Sequence, residues 1–269
     1  MLKDITLGQY FPGKSPVHLL DPRTKLIMLV VYIVSLFLAS GWISYGVMLL
    51  FLAAVIKIST IPLKSIVRGM KPLLMILIFT GVLNIFFTPG EGEPLVALGV
   101  VKIYSEGLIR AVFMVLRILM LVAGTFLLTY TTSPIALTDG LEALLSPLKK
   151  IKVPVHELSM MMCIALRFIP TLIEETDKIM SAQKARGADF ESGSLIDRAK
   201  ALIPILVPLF ISSFRRADDL ATAMECRCYQ GDEGRTKMKL LRYSRWDFHA
   251  FAVGALLIAA LVSLRILGV

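Results

Sequence analysis

Two short stretches in the C-terminal half of the chain match each other: Ser181-Ala-Gln-Lys-Ala-Arg-Gly187 and Thr222-Ala-Met-Glu-Cys-Arg-Cys228. Superposing Arg186 on Arg227 also superposes Ala182 on Ala223, and the upstream Asp177 on Asp218. A guanidinium is a planar fork of five N–H donors that stays charged, and its natural counterpart is a carboxylate or a phosphate. In the last turn of a helix it is favoured by the exposed carbonyls there. Ala182 and Ala185 are small enough to let another surface come close, and Gly187 supplies the left-handed backbone that ends a helix. A cation on a narrow helix end, present twice, is suited to gripping two similar grooves rather than to making bonds. The copies differ, since Cys226 stands for Ala185 and Cys228 for Gly187. The second helix is therefore expected to run on to Gly231, giving the two ends different shapes.

Other residues have the letters of a chemical motif without its context. Gly8-x-x-x-x-Gly13-Lys14-Ser15 spells a phosphate-cradling loop. Such a loop lies between a strand and a helix and aims backbone N–H groups at phosphate. Only seven residues precede Gly8, and Pro12 and Pro16 each remove a donor. The segment reads instead as a turn-rich entry to a helix starting at Asp21-Pro22. His18, His156 and His249 have neither metal nor triad spacing, and Cys226-x-Cys228 has no further Cys or His at ligand distance. No cofactor and no metal is expected in this chain, and Cys163, Cys226 and Cys228 are expected to be free thiols. Met160-Met161-Met162 reads as core filling; an adaptable docking surface is the other use of such soft side chains.

The elements that must position the arginines are those of a membrane protein. Hydrophobic residues make up 56% of the 269 and charged residues 18%, against roughly 45–50% and about 25% in soluble domains. Residues 1–25 contain prolines and Gly13 but no apolar core, so no cleaved leader is expected there. Five spans are expected: Thr24–Ser40, Ile43–Ile58, Leu73–Thr88, Leu108–Tyr130 and Phe248–Leu267. Lys3, Lys14, Arg23 and Lys25 precede the first, and Lys57, Lys64, Arg68 and Lys71 fill the 57–72 connection, whereas 88–107 carries Glu91, Glu93 and Glu106 against Lys102. The positive-inside rule then puts the N-terminus and region 131–245 in the cytoplasm. Arg110 falls at the outer interface, and Arg117 lies deeper in the fourth span, where a charge has a structural or a functional partner. No Asp or Glu lies within these spans, which argues against a proton- or sodium-driven carrier.

Region 131–245 is helical in pattern. Ser133-Pro134 is a hydroxyl cap followed by proline at a helix start, and Leu141, Leu144, Leu145 and Leu148 form one apolar face. A helix from about Val155 to Arg186, interrupted by Pro170, would be over about 40 Å long. A second, from about Leu195 to Tyr229 with Pro204 and Pro208, repeats its plan: an apolar first half, then charges, then the arginine. The expected organisation is 1–130 as a cytoplasmic entry and four spans, 131–245 as coupling helices packed at the membrane surface, and 246–269 as the last span. The fold class is all-α integral membrane protein, with about five transmembrane helices and a cytoplasmic domain of long crossed helices.

Here the sequence resembles the transmembrane T component of energy-coupling factor transporters, micronutrient-uptake relatives of ABC importers. The resemblance rests on Tyr10-Phe-Pro-Gly-Lys-Ser15, Leu20-Asp-Pro-Arg-Thr-Lys25, Leu166-Arg-Phe-Ile-Pro170 before Glu174-Glu175, and the paired Ala185-Arg-Gly187 and Cys226-Arg-Cys228. The family pattern is Ala-Arg-Gly at both tips, and only the first matches in full. The resemblance implies a non-catalytic subunit of the plasma membrane, serving uptake of a vitamin or similar compound. It implies that Ala185, Arg186 and Gly187, with Cys226, Arg227 and Cys228, contact two homologous cytoplasmic ATPases that hold ATP and Mg. It further implies a separate substrate-binding membrane S component beside this chain in the bilayer, and no nucleic-acid partner. The rival reading is an integral-membrane enzyme acting on anionic lipid headgroups, with Glu174, Glu175 and Asp177 as its carboxylates.

Overall fold

The computed structural model describes residues 10–87, 96–98, 101–190, 194–231 and 240–267. Glu91, Glu93, Lys3 and Gly8, used above for orientation and for the loop motif, lie outside them. The helices are α1 Pro16–Leu19, α2 Pro22–Leu38, α3 Trp42–Ser59, α4 Leu63–Phe87, α5 Ser105–Thr131, α6 Pro134–Leu145, α7 Val155–Ala185, α8 Leu195–Glu225 and α9 Arg245–Ile266. A 3-10 turn, Ser146–Ile151, follows α6. Strands β1 Val96–Leu98 and β2 Val101–Ile103 form a minimal antiparallel hairpin, with Val96 opposite Ile103. The class is all-α.

Five helices are long and apolar enough to cross a membrane: Trp42–Ser59, Leu63–Phe86, Ser105–Thr131, Val155–Ala185 and Arg245–Ile266. They are not the five expected. At 17 residues α2 reaches only about 26 Å, while α7 joins the set because its first half is apolar. The span expected from Leu73 also starts ten residues early, at Leu63, with Pro72 inside the helix. Lys64, Arg68 and Lys71 therefore stand on the first turns of α4, all exposed, with Ile66 buried among them.

The chain divides into two compact units. One comprises Gly8–Leu141 with Leu241–Val269. Its core joins Tyr32 and Leu36 of α2, Tyr45 and Met48 of α3, Met120 of α5 and Leu257 and Leu261 of α9. The Tyr32 hydroxyl donates to the Met120 carbonyl at 3.0 Å. Gly124 makes that approach possible, since a Cβ there would fall 2.6 Å from the Tyr32 ring. The start of α2 is fixed by a buried network. Asp21 accepts from the Arg23 N–H (2.9 Å), and its own N–H donates to Asp247 Oδ1 of α9 (2.9 Å). Asp247 Oδ2 accepts from the Ser244 N–H at 2.6 Å. Lys25 Nζ donates to the carbonyls of His18 and Thr131. The loop-like Tyr10–Ser15 stretch is tied down here: the Phe11 N–H donates to the Tyr130 carbonyl, and Ser15 caps α1.

The second unit runs from Glu142 to Leu240 and contains α7 and α8. Glu142 is buried and accepts from Ser159 Oγ (3.1 Å), with His156 Nδ1 at 3.2 Å, so the first turns of α7 are pinned to the end of α6. Ser194 and Asp197 form a capping box that starts α8. Met161 and Met162, read above as core filling, are exposed.

Candidate partner-docking site

Both arginines stand on helix ends of the same geometry. After α7, Gly187 N–H donates to the Lys184 carbonyl and Ala188 N–H to the Gln183 carbonyl, each at 3.0 Å. After α8, Cys228 N–H donates to the Glu225 carbonyl (2.8 Å) and Tyr229 N–H to the Met224 carbonyl (3.1 Å). This paired closure around a left-handed residue is the Schellman cap. Gly187 takes it with φ 89° and Cys228 with φ 55°. Every partner in one cap is the sequence equivalent of the partner in the other, 41 residues on.

The expectation that α8 runs on to Gly231 is thus corrected. The helix stops at Glu225, because the reversing hydrogen bonds are backbone bonds available to any residue that tolerates the left-handed region. Nothing lies within 4 Å of a Cβ built on Gly187, so within this chain the glycine serves backbone conformation rather than space. Ala185, Arg186, Gly187, Cys226, Arg227 and Cys228 are all exposed. Neither arginine makes an ion pair among the described residues. Each end presents an unpaired guanidinium beside small side chains.

The helices that carry the ends meet at a contact the sequence reading missed. Arg216 Nη2 of α8 donates to Glu175 Oε2 of α7 at 2.8 Å, and the two residues are 41 apart. Forty-one is also the spacing of Arg186 and Arg227, so Glu175 and Arg216 are equivalent positions of the two copies. Each precedes its arginine by eleven residues. Equivalent positions touch when two similar helices cross at the same distance from their ends. Carrying the 41-residue register upstream from Asp177 and Asp218 sets Glu175 opposite Arg216, although the residue types no longer match there.

Three of the other candidates have structural partners. Glu175, one of three carboxylates considered for lipid chemistry, is committed to Arg216. Arg110 pairs with Glu106 one turn away at 3.6 Å. Arg117 Nη2 donates to the Ala39 carbonyl at 3.3 Å, and its guanidinium lies over the rings of Phe37 and Tyr45. It thereby ties α5 to the turn between α2 and α3. Among the described residues, no three His, Cys, Asp or Glu side chains are grouped as a metal would need.

Comparison with known proteins accounts for nearly the whole chain. Residues 13–238 match the CbiQ family of cobalt transport proteins. A Clostridium kluyveri protein named energy-coupling factor transporter transmembrane protein EcfT is 55% identical over 266 residues, covering 99% of this chain and 98% of its own length. The EcfT of Bacillus subtilis is 48% identical over 265 residues (98% and 100%). That of Lactococcus lactis is 44% identical over 266 (99% and 97%). The likeness takes in both arginine ends and the crossing between them, and this chain belongs to the energy-coupling factor transporter transmembrane proteins, the EcfT family.

Proposed function

We propose that this chain is the non-catalytic scaffold of a micronutrient importer, passing motion from two cytoplasmic ATPases to a substrate-binding membrane subunit. The observation that carries the reading is the matched pair of caps. Two unpaired arginines on the same backbone geometry fit two homologous partners, each offering a groove with a carboxylate. ATP and Mg belong to those partners, and the chain itself needs no cofactor. Ala185 and Gly187 at one end, and Cys226 and Cys228 at the other, form the small-residue surround that lets each groove close on its arginine.

The same reading orients the chain. Lys14, Arg23, Lys57, Lys64, Arg68 and Arg245 belong to the end of the membrane unit at which α2 and α9 begin and α3 finishes. That end faces the cytoplasm, as do the arginine tips, and the N-terminus is inside the cell.

Co-expression with candidate ATPases tests the assignment. Truncating one partner of a desolvated interfacial charge pair costs about 2–5 kcal/mol. Arg186→Glu and Arg227→Glu should each weaken co-purification strongly, and the double variant should neither assemble nor transport. A double variant that assembles and transports like the wild type would remove the docking role. Hydrolytic turnover of a phospholipid by the isolated chain would favour the enzyme reading instead.

A further inference from the structure

The membrane unit contains a groove of about 560 Å³ whose walls come from α2, α3, α5 and α9. Its sides are apolar: Leu29, Phe51, Val55, Leu128, Ala250 and Val253. It is open, since Val253 is 49% exposed and Ile58 and Trp246, at one end, are each 50% exposed. Beside a membrane-spanning helix the surrounding medium is lipid tails, not water. Walls that are almost wholly apolar give water few partners, and an empty groove would forfeit the dispersion contacts of its lining. A hydrocarbon chain satisfies both conditions.

The chain flanking the end at Ile58 and Trp246 is basic. Exposed Lys57 and Arg245 directly precede those two lining residues, and exposed Lys14 lies two residues before the lining Pro16. None of the three makes an ion pair among the described residues. The nearby carboxylates are turned inward. Asp247 is fully buried on two backbone N–H groups, and Asp21 is paired with Arg23 at 3.0 Å. Lys25, also in the lining, donates to two carbonyls and has a third N–H to offer. Trp246, packed edge-on to His249 with centroids 6.1 Å apart, has the amphipathic ring that marks the headgroup level.

We infer that this groove is a binding site for one anionic phospholipid. An acyl chain lies between α3 and α9, and the phosphate is held among Lys14, Lys57 and Arg245. The inference rests on the membrane placement of these helices and not on the coupling role, so the two can fail separately. Anionic lipid is abundant in the leaflet that attracts basic residues, which agrees with the orientation proposed above.

The test uses the full chain, without ATPases, in vesicles of mixed phosphatidylglycerol and phosphatidylcholine. In parallel samples, one lipid or the other carries a photoreactive diazirine in its acyl chain. Adducts mapped by mass spectrometry should concentrate on α3 and α9 residues of the groove, several-fold more with phosphatidylglycerol. Val55→Trp and Val253→Trp, which fill the groove from opposite walls, should each abolish labelling of the other wall. The surface pair Lys57→Glu/Arg245→Glu leaves the core untouched and should reduce phosphatidylglycerol labelling roughly tenfold or more. Equal labelling by the two lipids, labelling that survives both tryptophans, or a polypeptide found in the groove instead would overturn the inference.

Discussion

Replacing Gly187 with alanine and Cys228 with glycine should move the two helix ends in opposite directions. Both residues occupy left-handed backbone, at φ 89° and 55°. A side chain there costs about 1–2 kcal/mol, while glycine's extra freedom in the open chain returns about 0.5–1 kcal/mol. An alanine Cβ at 187 meets no atom within 4 Å, so no packing change obscures the backbone effect. The net is roughly 1 kcal/mol, about fivefold in a local opening equilibrium. Amide hydrogen exchange reads that equilibrium directly. In Gly187→Ala, the N–H groups of residues 187 and 188 should exchange about fivefold faster. In Cys228→Gly, those of residues 228 and 229 should exchange more slowly by a similar factor. Cys228→Ala is the control, because it removes the thiol and keeps the Cβ, and it should change little. Slower exchange in Gly187→Ala, or a Cys228→Ala effect as large as that of glycine, would refute the shared cap.

Asp247→Ala should lower thermal stability by roughly 3 kcal/mol, because it orphans the N–H groups of Asp21 and Ser244; Asp247→Asn, which keeps an acceptor, should lose less, and the reverse order would contradict the network. Glu175→Arg and Arg216→Glu should each destabilise by no more than about 1 kcal/mol, since the pair is half-exposed. The double swap should recover the loss, and a double-mutant cycle with no coupling would remove the crossing contact. Burial holds the His18 imidazole below its ordinary value of 6.5, with Lys25 nearby acting the same way against the Phe11 carbonyl. The folded state disfavours the proton, so the stability that neutral His18 contributes is lost as pH falls below about 6.5. Proteolysis within 10–20 should accelerate over that range, and His18→Gln should flatten the dependence.

The parts of the fold legible in the sequence were those with a chemical marker at their boundary. Asp21-Pro22 and Ser133-Pro134 announced α2 and α6, because a short polar side chain and a proline satisfy a helix start in a way few other pairs do. The start of α4 is not legible at first sight, because three basic residues and Pro72 read as a connection. Yet Lys64, Arg68 and Lys71 fall at i, i+4 and i+7, a charged stripe on a helix whose other face buries Ile66. Charge by itself suggests a loop, while its period specifies a helix. At the docking ends the arginines were legible from their repeat, while the shape of the second end was not. Propensity alone disfavours cysteine at the glycine position, and the local hydrogen bonds outweigh that preference.

The contact between Glu175 and Arg216 marks the point about which the two helices would turn. On the arginine side each arm is eleven residues long, about 16 Å. On the far side the arms run 20 residues back to Val155 and 21 to Leu195. Equal short arms mean that drawing the two arginines together turns the helices against each other without favouring either. An approach of one helical pitch, about 5.4 Å, opens or closes the angle by roughly 20°. The long arms then sweep nearly twice as far as the short ones, so a small closure at the tips becomes a larger displacement at the apolar ends. How much of that gain survives depends on stiffness: Pro170 on one long arm, and Pro204 and Pro208 on the other, are the places where the lever can bend.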